Sequence, residues 1–105
     1  MMHVLFHIDE PEKWPMLLAN VENFLDAEED AKLVVVANGP AVRFYTERGK
    51  IDPLLRQRVD FVSCNNAMRG QGLTVEDLDT NIRVVPAGVV EIARLQLEGY
   101  AYIKP

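Results

Sequence analysis

Apolar residues along the chain fall into short unbroken runs, separated by stretches with helical spacing. Val4-Leu5-Phe6-His7-Ile8 reads as a strand, ended by the turn cluster Asp9-Glu10-Pro11. Leu17, Val21, Phe24 and Leu25 then fall at i, i+4, i+7 and i+8, the stripe of an amphipathic helix. Pro11 or Pro15 fits its first turn, where a missing N–H costs nothing, and the acidic residues Glu28, Glu29 and Asp30 end it. Leu33-Val34-Val35-Val36-Ala37 shows no alternation, as a strand covered on both faces in a parallel sheet does.

The same alternation continues to the end. Asn38-Gly39-Pro40 makes a turn, and Pro40 is placed to open a helix through Ala41-Val42-Arg43-Phe44-Tyr45. After the surface loop Glu47-Arg48-Gly49-Lys50, Asp52-Pro53 supplies an N-cap and first turn for a short helix over Leu54 and Leu55. Asp60-Phe61-Val62-Ser63-Cys64 reads as a third strand. Asn65-Asn66 is expected to cap a helix through Ala67 and Met68, which Gly70-Gln71-Gly72 stops. Thr74-Val75-Glu76-Asp77 resembles a capping box with Asp in the usual Glu place. Ile82-Arg83-Val84-Val85 is a fourth strand, closed by Pro86-Ala87-Gly88. Val89, Ile92, Ala93 and Leu97 predict the inner face of a last helix, Gly99 its C-terminal cap, and Tyr100-Ala101-Tyr102-Ile103 a final strand. Strand alternating with helix predicts an α/β fold of one domain over 1–105, a parallel sheet with helices on both faces.

Composition narrows the partners. The chain carries 11 basic against 16 acidic residues, a formal net charge of -5, and its arginines and lysines are scattered. A nucleic-acid face needs clustered cations, so none is expected. No apolar run reaches the roughly 18 residues of a membrane span. No signal peptide is visible, and one cysteine forms no internal disulfide, so a cytoplasmic setting is expected. A hydrophobic fraction of 49% is generous for 105 residues, and part of it is expected between subunits.

In an open parallel sheet, ligands bind beyond the carboxyl ends of the strands. That edge gathers His7-Ile8-Asp9, Asn38-Gly39, Cys64-Asn65-Asn66 and Pro86-Ala87-Gly88. Cys64 lies where a strand hands over to a helix, whose positive end favours a thiolate. Arg69, a turn later, can add positive charge, and His7 can serve as base or proton carrier if it approaches the sulfur. Against this stands the ordinary role of a free cysteine as a small buried hydrophobe. His3, His7 and Cys64 lack a fourth ligand and compact spacing, so no metal is expected, and nothing points to a cofactor. The turns at Asn38-Gly39 and Gly88, with Asn65 and Asn66, could hold a small ligand or anion, although Pro40 removes an N–H that a phosphate loop would need. Asp9-Glu10 reads as helix capping rather than paired catalytic acids. Met68, Tyr45, Tyr100 and Tyr102 read as packing residues, the last two on one face of the closing strand, where another chain could pack.

The stretches Met2 to Ile8, Val36-Ala37-Asn38-Gly39-Pro40-Ala41-Val42, Phe61-Val62-Ser63-Cys64-Asn65-Asn66-Ala67-Met68, Val84-Val85-Pro86-Ala87-Gly88-Val89 and Gln96 to Pro105 together resemble the DsrE/DsrF-like family. The small stand-alone members, of YchN-like fold, are the nearest in kind. The resemblance implies a three-layer α/β/α architecture with a five-stranded, mainly parallel sheet, assembled into homotrimers or hexamers. It also implies a sulfur carrier: better-understood members hold sulfur as a cysteine persulfide, on a cysteine after the third strand, where Cys64 stands. Relay members often follow that cysteine with small residues and a basic pair; here Asn65-Asn66-Ala67-Met68-Arg69 follows. Three readings compete. One is a persulfide carrier exchanging sulfur with donor and acceptor proteins. Another is a non-catalytic oligomeric module for a small ligand or anion. The last is an assembly protein without a ligand.

Overall fold

The computed structural model describes all residues, 1–105. Its strands are β1 (His3–Ile8), β2 (Lys32–Ala37), β3 (Asp60–Cys64), β4 (Ile82–Val85) and β5 (Ala101–Ile103). They form one five-stranded sheet in the order β4-β3-β2-β1-β5. All neighbours run parallel, so the sheet expected to be mainly parallel is wholly so. The helices are α1 (Trp14–Ala27), α2 (Pro53–Arg58), α3 (Asn65–Gly70) and α4 (Gly88–Leu97).

The sheet divides two cores of unequal size. Val4, Phe6, Ile8, Leu33, Val35 and Phe61 face the larger, with Leu17 and Val21 of α1 and with Trp14, Tyr45 and Met68. Leu5, Val34, Val36, Val62 and Val85 face the smaller, which Leu95 of α4 closes. Period-two alternation along each strand sends neighbours to opposite faces, and both faces are apolar because both are covered. The three layers expected from the family resemblance are therefore present, with α4 the one helix on its side.

Two local expectations are corrected, and the expected Thr74–Asp77 capping box is present. Residues Gly39–Thr46 form a 3₁₀ helix rather than an α-helix. The indole N–H of Trp14 donates to the Ala41 carbonyl at 2.9 Å, taking the acceptor that an α-turn would offer to Tyr45 N–H. The Thr74–Asp77 box caps a single 3₁₀ turn, with the Asp77 carboxylate accepting from Thr74 N–H. On α4, the buried residues are Gly88, Glu91 and Leu95, whereas Val89 and Leu97 point outward. Ile92 is half-buried and Ala93 exposed, so the predicted inner face is rotated. Its cause is Glu91, which Arg83 and Arg94 hold by hydrogen bonds at 2.8 and 2.7 Å and so allow inside.

Candidate functional site at the carboxyl edge of the sheet

Every strand-to-helix handover lies at one edge of a parallel sheet, so the residues that end β1, β2 and β3 are brought together by topology alone. Cys64 ends β3 and is itself the N-cap of α3, its Sγ accepting the Ala67 N–H at 3.5 Å. The cap expected from Asn65-Asn66 is thus corrected: Asn65 is the first helical residue, and the sulfur does the capping. Cys64 is 6% exposed and packs in the larger core.

The N-terminus of α4 approaches the same sulfur. A Cβ added at Gly88 would stand 3.1 Å from Cys64 Cβ, 3.2 Å from Asn38 Cβ and 3.6 Å from Cys64 Sγ. A side chain there would crowd both neighbours, which would have to give by a few tenths of an ångström. Gly88 therefore has a steric role, and its neighbours are the cysteine and Asn38.

Asn38 is tied in turn to β1. His7 Nε2 lies 3.0 Å from Asn38 Oδ1, and His7 Nδ1 lies 2.5 Å from the Tyr102 hydroxyl on β5. His7 does not reach Cys64 directly. β2 runs between their strands, so two strand spacings, about 10 Å, separate them. Any influence of His7 on the sulfur passes through Asn38. Gly39 takes φ +54, the left-handed conformation that lets the chain turn beside the Asp9 carbonyl. Arg69 is exposed and donates to Asn66 Oδ1, so its charge is engaged with a neighbour on α3 rather than with the sulfur.

Residues 5–105 match the DsrE/DsrF-like family. The chain belongs to that family. Among solved structures, this DsrE/DsrF-like chain is similar to a protein of unknown function, MTH1491, from Methanobacterium thermoautotrophicum. The two share 34% identity over 100% of both chains, with a TM-score of 0.89. It is also similar in fold to the ychN protein from E. coli, at 16% identity over 100% of both chains and a TM-score of 0.79. No curated protein matches the chain.

Against the family expectation, the chain brings Cys64, Asn38 and Gly88 into contact range and links His7 to Asn38. Asn65 is half-buried in the first turn of α3, while Asn66 and Arg69 are exposed. None of the three surface hollows of the molecule is lined by Cys64, Asn38, Asn65, Asn66 or Gly88. One site residue escaped sequence reasoning: Tyr102, which reads as packing until β5 is known to lie beside β1. No group of His, Cys, Asp and Glu is arranged to hold a metal ion.

Proposed function

We propose that this DsrE/DsrF-like chain carries sulfane sulfur on Cys64. The observation that supports the reading best is the convergence on one sulfur of two helix starts: α3, whose Ala67 N–H already points at Sγ, and α4, brought close by Gly88. Backbone N–H groups at helix starts favour an anion, and both a thiolate and a persulfide are anionic. In the forward step the Cys64 thiolate attacks the outer sulfur of a persulfide donor. A new S–S bond forms at Cys64, the donor's S–S bond breaks, and its electron pair leaves on the donor thiolate. Attack by an acceptor thiolate on the outer sulfur reverses these changes and returns Cys64 to its thiolate.

With Cys64 only 6% exposed, the reading favours small donors, such as inorganic polysulfide, over a broad protein face. Asn38 and Gly88 would line the outer sulfur, and His7 would act through Asn38. We place the protein in the cytoplasm, where thiols stay reduced. No helix is long and apolar enough to cross a membrane. We also propose a homotrimer or homohexamer, supported by the outward Val89, Val90 and Leu97 of α4.

A second reading rests on the same burial. A cysteine that caps a helix inside a core is accounted for by packing alone, and the chain would then be a non-catalytic subunit of an assembly. Intact-mass measurement after incubation with polysulfide separates the readings. A carrier gains one sulfur atom, and Cys64→Ser gains none. An unmodified wild type, or equal uptake by Cys64→Ser, favours the structural cysteine.

A further inference from the structure

We propose that the hollow between α1 and α2 docks a basic amphipathic segment of a partner protein, with an apolar side chain seated inside and lysines or arginines at the rim. The hollow has a volume of about 370 Å³ and an apolar floor of Leu25, Leu54 and Leu55. Leu54 is 74% exposed. A lone exposed leucine is ordinary, but this one borders a concave surface made by two more. Around the floor stand Glu22 and Asp26 of α1 and Asp52, the N-cap of α2. No ion pair of the molecule includes any of these three carboxylates. The one cation of the lining, Arg58, is engaged with backbone: its guanidinium donates to the Glu29 and Ala31 carbonyls at 2.7 and 2.5 Å. Asp26 also sits in the last turn of α1, which holds no basic residue and is followed by Glu28, Glu29 and Asp30. The negative end of a helix disfavours carboxylates, so a cation arriving here relieves repulsion already present in the free chain.

That charge selects the occupant. A second copy of the chain brings a net charge of -5 of its own and is repelled. A metal ion finds no suitable group of ligands. A positively charged segment with an apolar stripe satisfies floor and rim together, in the way an amphipathic helix fills a hydrophobic groove. The hollow takes one or two side chains rather than a broad face, which suits a transient contact. α1 and α2 both end where the next strand begins, at the amino edge of the sheet. Cys64 ends its strand at the carboxyl edge, and α4 lies on the opposite face. A segment docked here leaves both uncovered, so docking is independent of whether Cys64 carries sulfur.

NMR of the nitrogen-labelled full chain tests this, by titration with a synthetic peptide of leucine and lysine in amphipathic helical spacing. Saturable binding in the micromolar range is expected, with shifts centred on α1 and α2. A scrambled peptide of the same composition should bind at least about tenfold more weakly. Leu54→Ser, at an exposed position that leaves the fold intact, should weaken the amphipathic peptide about tenfold, as the loss of one leucine burial does. Glu22→Gln with Asp26→Asn should weaken it too and flatten its salt dependence. Leu97→Ser, on α4, should change nothing. Equal binding of the scrambled peptide, full affinity in Leu54→Ser, or shifts spread over the whole acidic surface would mean that net charge alone attracts the peptide, and each overturns the docking site. Absence of binding overturns it as well.

Discussion

Gly88 begins α4 with the side chains of Cys64 and Asn38 standing where its own would be. Both neighbours are stiff near their Cβ atoms, at the ends of packed strands, so they yield little. Replacing Gly88 with Ala should cost about 1 kcal/mol of stability through overpacking, read from the urea midpoint. The same variant should slow labelling of Cys64 by a small thiol reagent, since the added methyl crowds the sulfur. Faster labelling would mean that α4 has been pushed away. At this scale the sequence was informative where chemistry ends a strand: Cys64, Asn38 and His7 could be placed at one edge from the strand pattern. It was silent on Tyr102. Nothing in Tyr100-Ala101-Tyr102-Ile103 says which strand it pairs with, and its hydroxyl gains meaning only beside His7.

Among the elements, α4 departs most from its own pattern. Val89, Ile92, Ala93 and Leu97 make a plausible apolar stripe, yet the helix turns Glu91 inward, where its side chain is 7% exposed. Burial pushes the Glu91 carboxyl up, but hydrogen bonds from Arg94 and Arg83, with their charges, outweigh this and hold it below the usual glutamate range. Arg83 also pairs with Asp60 at 2.9 Å, so the cluster ties α4 to β3 and β4. A hydrophobicity pattern reads each residue by itself and cannot register that a carboxylate arrives with two guanidinium partners. The strands were legible for the opposite reason, because β-branched apolar runs need no partner to be recognised. Glu91→Gln should lower stability by about 1–2 kcal/mol at neutral pH, less than a fully buried pair because both arginines remain half in water. A depressed carboxyl pKa stabilises the fold above the unfolded-state value, about 4.3, and that contribution is lost as pH falls through the lower folded-state value. The gap between wild type and Glu91→Gln should therefore narrow in urea titrations below about pH 4. A gap that persists in strong acid would show that packing, not charge, is what the substitution removes.

For the whole molecule, the asymmetry between the two faces of the sheet is the main physical fact. One face carries α1, α2, α3 and the 3₁₀ helix, and the other carries α4 alone. That single helix exposes Leu97 at 90%, Val90 at 66% and Val89 at 64%. Apolar residues grouped on one outward helical face are more than the scattered singles of an ordinary surface. Light scattering should therefore find an oligomer at micromolar concentration, and Val90→Glu with Leu97→Glu should shift it toward monomer without lowering the helix signal in circular dichroism. A wild-type monomer would remove subunit contact as the account of this face. The high apolar content visible in the sequence anticipated the surplus. Its location could not be read there, because it follows from the rotation of α4 that Glu91 imposes.

The pairing of β1 with β5 has a kinetic consequence. Val4 lies opposite Ala101, so the first and last strands meet across nearly the full length of the chain. Such distant pairings carry a large loop-closure cost and form late in folding. The tyrosine that orients the histidine arrives on that last strand. A nascent chain can thus have its cysteine in place while its polar surroundings are still unassembled, and it matures only when its two ends zip together.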